Sequence, residues 1–449
     1  MTAFATDRRE LKKGRLDWIL AATVAFIATI GTVAILSSVT GLPFGERVIH
    51  IHMMALPVAA ILFLFGWSAN YQIYQDQWKA LYGLILGLLL AVLVLGSTDR
   101  GSRSWFHLGP ISMQPSELCR VGLILVLANY LDRNAPRVKQ LSTFLGAVLL
   151  ILPVFALIML QPDFSALIVT FPTLVAMLYC AGASLAHLFS VVGFGCVTGA
   201  LTVLWTLIPL YPDWLEESAL AQNFMSFSKF GLPALACVGV IAALVFFAWK
   251  ACVRFRVRVR PAHFIGAAAV LIGGYVTAIG VQTQIKDYQR KRFEAFLAPQ
   301  ADPRGAGYNV LQSKIAIGSG GFWGKGAFSG TQARLGFVPE RHTDFIMAVV
   351  GEEMGFVGSF GVLALYLLML WRLTVIARLS RDQFGYLSCC GIFSMFFIYL
   401  CINFGMAVGV MPVAGVPLPL LSYGGSNLAA SFWAFGIAES VYARRMALV

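Results

Sequence analysis

Lys79-Ala-Leu-Tyr-Gly-Leu-Ile-Leu-Gly-Leu-Leu-Leu-Ala-Val-Leu-Val-Leu-Gly-Ser97 carries a single charge, and that charge is its first residue. A helix needs about 20 mostly apolar residues to cross ~30 Å of hydrocarbon, and this stretch qualifies. Similar runs lie at 17–39, 48–68, 115–131, 142–160, 165–182, 189–210, 231–250, 264–282, 344–371, 386–409 and 426–443, so about twelve spans are expected. The first is too long for the roughly 7–15-residue apolar core of a signal peptide and has no small-residue cleavage site after it. Of the 449 residues, 59% are hydrophobic and only 12% charged. One soluble core cannot absorb that surplus, since single cores stop growing near ~250–300 residues. Disordered, collagenous and disulfide-scaffold classes are excluded by the same composition. The fold class is an all-α polytopic membrane protein, with a basic segment at 1–16 and one integral-membrane domain over 17–449.

The net charge of +12 would suggest nucleic acid in a soluble chain. Here its placement matters more. With the N-terminus inside, the inner segments hold Arg8, Arg9, Lys12, Lys13, Arg15, Lys79, Arg133, Arg137, Lys139, Lys250, Arg254, Arg256, Arg258, Arg260, Arg372, Arg378, Arg381, Arg444 and Arg445. The short outer loops hold Arg47, Arg100, Arg103 and Lys229. Lys and Arg concentrate on the cytoplasmic side, so both termini are expected there. One long outer loop, 283–343, runs against the trend, with nine basic residues and four acids. A long, glycine-rich basic loop is a natural seat of function, although long loops also translocate regardless of charge. The alternating run at 254–260 reads most simply as solvated or headgroup-facing. The eight cysteines avoid the outer loops, so no disulfide framework is legible.

Gly318-Ser-Gly-Gly-Phe-Trp-Gly-Lys-Gly326 superficially resembles a phosphate loop, but Ser319 stands where the first glycine belongs and Gly326 follows the lysine. A turn-rich structural loop and a weaker anion site both remain open. His50 and His52, two apart on a helix, share no face and make a poor metal pair. Glu117 and Arg120 do share a face, as a structural ion pair or as a functional one. Glu352 and Glu353 lie inside a span and need a partner or a wet cavity. Asp163 is placed to cap a helix. Pro339-Glu-Arg-His-Thr-Asp-Phe345 ends the basic loop and enters a span. Its Asp344 can act as a general base beside an anionic substrate, or as a routine N-cap. Pro412 to Gly425 is a Pro/Gly-broken segment of the kind tolerated at membrane depth where it lines a cavity.

Taken in order, these stretches resemble the SEDS family (shape, elongation, division and sporulation) of bacterial cell-wall polymerases. The resemblance is carried by Gly101-Ser-Arg103-Ser-Trp105, Gln114-Pro-Ser-Glu117, Gln161-Pro-Asp163, Asp302 to Tyr308, Gln312-Ser313, Gly318 to Gly326, Gly330-Thr-Gln332, Pro339 to Phe345, Gly351-Glu-Glu353 and Val416 to Gly425. The wording at Ile315 to Gly321 and Pro339 to His342 is similar to the elongation branch more than the division branch.

The resemblance implies a peptidoglycan glycosyltransferase that polymerises lipid II onto a nascent glycan strand, with inversion, in the bacterial inner membrane. It implies an active site on the extracytoplasmic face, and as partners a class B penicillin-binding protein, the elongation machinery and membrane lipid, without nucleic acid. The family's catalytic aspartate falls on Asp344. Substrate contacts are expected among Arg103, Glu117, Arg120, Arg292, Gln312, Ser313, Lys314, Ser319, Lys325, Gln332, Glu340, Arg341, His342, Thr343, Ser422, Tyr423 and Gly424. A divalent cation could share the diphosphate charge, but no ligand set is legible. The family has ten spans, so a pair of helices within about 189–250 is expected to be extra and peripheral; Phe164-Ser165 is a smaller departure. A lipid II flippase and a non-catalytic scaffold are the rival readings.

Overall fold

The computed structural model describes residues 16–99, 102–109, 111–161, 163–210, 215–216, 218–257, 259–284, 306–334 and 336–445. Arg292, the 288–292 run, Arg258, and most of 1–16 and 283–305 lie outside the described residues. A helix stands at each of the twelve expected spans: α1 Trp18–Val39, α2 Gly45–Ser68, α3 Trp78–Leu95, α4 Pro115–Arg133, α5 Leu141–Leu160, α6 Phe164–Cys180, α7 Leu185–Leu207, α8 Leu232–Arg254 and α9 Pro261–Gln284. After α10, Ala306–Gly320, come α11 Ile346–Leu379, α12 Gln383–Ala407 and α13 Gly425–Ala443. Among the described residues nine of these are both long and apolar enough to cross a membrane; α4, α6 and α13 fall short.

For α6 the shortfall is length, 17 residues; for α4 and α13 it lies in their buried polar side chains. Helices that face lipid must be apolar on the outside, whereas polar side chains are tolerated only against protein. Accordingly α3 buries just the stripe Ile85, Leu89 and Val92, while α4 buries most of its length, including Glu117, Arg120 and Asn129. The least apolar helices are interior ones.

By backbone contacts the chain forms two compact units, Met1–Gly182 with Asn309–Val449, and Ala183–Tyr308. In the first, α2 and α13 pack through glycines. A Cβ at Gly66 would meet the Gly436 backbone at 3.1 Å, and one at Gly436 would collide with the Phe63 carbonyl. Small residues let membrane helices approach this closely. Between α3 and α4 the chain forms a three-stranded antiparallel sheet that sequence reading did not anticipate: β1 Ser97–Asp99, β2 Ser102–Leu108 and β3 Ile111–Met113. Its strands are short and its pattern mixed, so periodicity gave no signal. The chain turns at Gly109, whose positive φ of 66° suits glycine.

In the second unit α7, α8 and α9 gather around Trp205, with Ala234, Tyr275, Ala278 and Ile279 as its core. The Tyr275 hydroxyl donates to the Phe227 carbonyl at 2.8 Å, tying α9 to the turn after the short helix Ala219–Ser226.

Candidate active site

The turn into α11 is built around one carbonyl. Glu340 adopts a left-handed φ of 50°, and its oxygen accepts the N–H groups of Thr343, Asp344 and Phe345 at 3.1–3.3 Å and the Thr343 hydroxyl at 3.2 Å. That conformation is costly for a non-glycine residue and is a known mark of functional turns. The helix N-cap position falls on Phe345, which makes no side-chain cap bond. Asp344 is only 6% exposed. Its carbonyl accepts from Asn403 Nδ2 at 3.1 Å, and the same amide group reaches the Val416 carbonyl at 3.0 Å. The turn is thereby fixed to α12 and to the broken 408–424 segment.

Arg341, 4% exposed, donates Nε to the Ser38 carbonyl at 2.5 Å, while its buried Nη2 has no hydrogen-bond partner among the described residues. Burial pulls its pKa below the usual guanidinium value, but a guanidinium stays charged throughout the physiological range. Tyr423 donates its N–H to the His342 carbonyl at 2.8 Å. The His342 ring lies 6.3 Å from Phe44 and 5.7 Å from Tyr423, and Tyr423 in turn 6.4 Å from His52. Burial raises the Tyr423 pKa, and the charge of Arg47 opposes the rise. Arg47, Ser38 and Asn403 were missed as site residues. Arg47 was visible only as one more outer-loop cation, and a backbone carbonyl or a lone amide gives no sequence signal.

A second cluster explains the glycine-lysine run. Helix α11 is broken at Gly355, with φ 65° and ψ −160°. A break frees backbone groups that must be satisfied inside a membrane protein. Lys325 and Gly326 donate their N–H groups to the Glu352 and Glu353 carbonyls at 3.0 and 2.9 Å. Phe356 and Val357 donate theirs to the Gly321 and Phe322 carbonyls at 2.9 and 3.2 Å. The loop thus stitches the broken helix. Side chains at Gly320, Gly324 or Gly355 would run into the opposing backbone. Glu352, fully buried, accepts from Lys325 Nζ at 2.8 Å, from the Thr331 hydroxyl at 3.0 Å and from the Gln332 N–H at 2.8 Å. Lys325 also donates to Ser319 Oγ at 2.8 Å. Glu353 takes the Ser37 hydroxyl.

A third cluster surrounds Glu117. Its Oε2 accepts from Arg120 at 2.9 Å, Tyr399 at 2.8 Å and Asn427 at 3.1 Å. Arg120 also donates to Thr170 at 3.2 Å. Asp163 caps α6 through the Ala166 N–H at 3.2 Å, as expected, and further accepts from Gln114 at 2.7 Å and Ser116 at 3.2 Å.

The remaining candidates are dispersed. Ser313 donates to the Ala407 carbonyl at 2.9 Å, and Gln312 is half-buried beside it on α10. The exposed Lys314 lies over Gly409, where a Cβ would strike its stem. Ser422 Oγ accepts the Leu418 N–H at 2.9 Å and closes its own loop, and Gly424 stands at the N-cap position of α13. Arg103 is exposed on β2, giving a 3.4 Å bond to the Leu93 carbonyl. Among the described residues no group of three or more His, Cys, Asp or Glu is placed to hold a metal ion.

A family model for FtsW, RodA and SpoVE, described as "Cell cycle protein", matches residues 17–227 and 234–446. The chain belongs to this family. It is 32% identical over 447 residues to a protein of Treponema pallidum named peptidoglycan glycosyltransferase RodA, covering 96% of this chain and 98% of that one. To peptidoglycan glycosyltransferase MrdB of Escherichia coli it is 32% identical over 377 residues, covering 84% and 80%. Among solved structures, the rod shape determining protein RodA of Thermus thermophilus matches with a TM-score of 0.60 at 25% identity, covering 96% and 98%. A chain from a peptidoglycan synthase complex, described as coordinating polymerization and crosslinking, matches with a TM-score of 0.65 at 29% identity over the same shares. The FtsW/RodA/SpoVE match agrees with the SEDS resemblance, and RodA and MrdB names agree with its elongation branch.

Proposed function

We propose that this multi-pass membrane protein polymerises lipid II into glycan strands during cell elongation, with Asp344 as the general base. The chain is a peptidoglycan glycosyltransferase of the RodA type. The observation that carries the mechanism is the turn holding Asp344 and Arg341 three residues apart, both buried, with one guanidinium nitrogen unsatisfied among the described residues. The 4-hydroxyl of an incoming lipid-linked disaccharide must lose a proton as it attacks the donor sugar, and a buried carboxylate can take it. The departing diphosphate needs positive charge, which Arg341 supplies at the turn, with Arg47 and Lys314 as further cations. A water-poor setting also protects the donor from hydrolysis. In this reading the cation load falls on these side chains, and a divalent ion is a further candidate that a chelator titration would test.

The wider assignment is part of the same proposal. Twelve spans cross the bacterial inner membrane with both termini in the cytoplasm, and the 283–343 loop and Asp344 face outward. The pair within 189–250 is peripheral to the chemistry, and a class B penicillin-binding protein crosslinks the product. The complex described for one solved relative supports that partner.

The deciding experiment is a glycan gel of purified protein with lipid II, with and without a class B transpeptidase, comparing wild type with Asp344→Asn. Loss of a general base lowers the rate by about 10²–10⁴-fold, with folding and insertion unchanged. A variant that still makes glycan at about a tenth of the normal rate or more returns the flippase and scaffold readings.

A further inference from the structure

From Ser218 to Lys286 the sequence contains seven basic residues and no Asp or Glu. Five of the seven, Lys250, Arg254, Arg256, Arg258 and Arg260, fall at the end of α8 and in the link to α9. Among the described residues none of Lys250, Arg254, Arg256 and Arg260 forms an ion pair. Among the described residues no acidic side chain compensates these charges.

The surroundings place this charge at a lipid interface. Along α8 only Ala234 is buried, so the shaft presents its apolar side chains outward. Its last turns carry Phe246, Phe247 and Trp249, with edge-to-face rings at 5.8–5.9 Å, and Lys250 Nζ lies 5.7 and 5.8 Å from the Phe246 and Trp249 centroids. Aromatic girdles with a snorkelling lysine mark the headgroup level. Past them Phe255 is 79% exposed, and Val257 and Val259 are exposed as well. Apolar side chains alternating with arginines suit a boundary that has acyl chains on one side and phosphates on the other. They gain nothing in open water.

The backbone adds an independent observation. Arg256 and Val257 donate to the Val253 and Cys252 carbonyls at 3.2 and 2.9 Å, closing α8 in a Schellman motif. The left-handed position, usually glycine, is occupied by Arg256 with φ 56°. A cation is kept where the conformation favours no side chain at all.

We propose that residues 250–260 form a binding site for the phosphodiester headgroups of anionic glycerophospholipids, anchoring the second unit to the membrane surface. Each basic residue near an anionic surface strengthens binding by about fivefold. The test uses the full-length purified protein, with native mass spectrometry counting phosphatidylglycerol and phosphatidylcholine adducts in mixed micelles. The fourfold Arg254→Gln/Arg256→Gln/Arg258→Gln/Arg260→Gln variant should lose its preference for phosphatidylglycerol by tenfold or more. The Arg137→Gln/Lys139→Gln control should retain it, and so should the fourfold Arg→Lys variant. Should the Gln variant not fold, wild type alone decides, because the preference must fall steeply as salt rises. Equal uptake of the two lipids by wild type would overturn the proposal. So would displacement of the lipid by millimolar inorganic phosphate, or tight binding of polyglutamate without a lipid preference.

Discussion

Arg341 gives Nε to the Ser38 carbonyl, and its buried Nη2 has no partner among the described residues. A buried guanidinium with an open donor is set up for an oxyanion. Replacing it by alanine should raise the KM for lipid II by roughly tenfold or more while leaving measurable turnover, since other cations share the diphosphate. Arg341→Lys should recover only part of that loss, because an ammonium cannot serve the Ser38 carbonyl and a phosphate with a fixed fork. Initial-rate assays across lipid II concentration separate the two effects. Glu117 carries a different expectation. Three donors converge on its Oε2, and breaking a buried ion pair on one side costs about 3–5 kcal/mol. Glu117→Ala should therefore lower the melting temperature sharply in detergent, with activity lost through folding. The carboxylates and the arginine were legible as chemistry from residue type and span position. Ser38 and Asn403 were not, since their part is to hold residues 303 and 59 positions away.

The broken helix α11 makes its own demands on sequence. Gly355 needs a backbone conformation that other residues hardly reach, and it sits against the Gly324 nitrogen. Gly355→Ala adds a backbone cost of about 1–3 kcal/mol to an overpacking cost of similar size, so the variant should unfold early or fail to accumulate. Gly361→Ala on the same helix, where a Cβ meets nothing within 4 Å, should leave stability unchanged or slightly improved. Thermal shift by size-exclusion chromatography compares the pair. The glycine-lysine run was readable as either a structural turn or an anion site. Its stitching of α11 became clear only in three dimensions, because hydrogen bonds between 321–326 and 352–357 leave no trace in local periodicity. The β1–β3 sheet escaped notice for a related reason, its strands being three to seven residues long.

Across the molecule, the places of the long apolar helices were legible and their roles were not. Hydropathy finds lipid-facing helices well, yet interior helices such as α4 dilute the same signal with Glu117 and Arg120. Single cysteines in a Cys-free background test the proposed topology. Positions near 220 and 330 should label from outside, and positions near 135 and 256 only after permeabilisation. Outside labelling at 256 would force a recount of the spans. One feature of the first unit also bears on how the protein is made. Helix α13 packs on α2 through Gly66 and Gly436, brings Asn427 to Glu117 and Ser426 to the Gln114 N–H, and meets the Asp17 N–H through Glu439. These groups belong to early parts of the chain, and the helix that satisfies them leaves the ribosome after all of them. Until it arrives, a groove lined by the α2 glycines and by polar groups stays open in the bilayer. A nascent chain that stops short of residue 425 is therefore left with an unfilled flank, which is the kind of surface on which membrane quality-control proteases act.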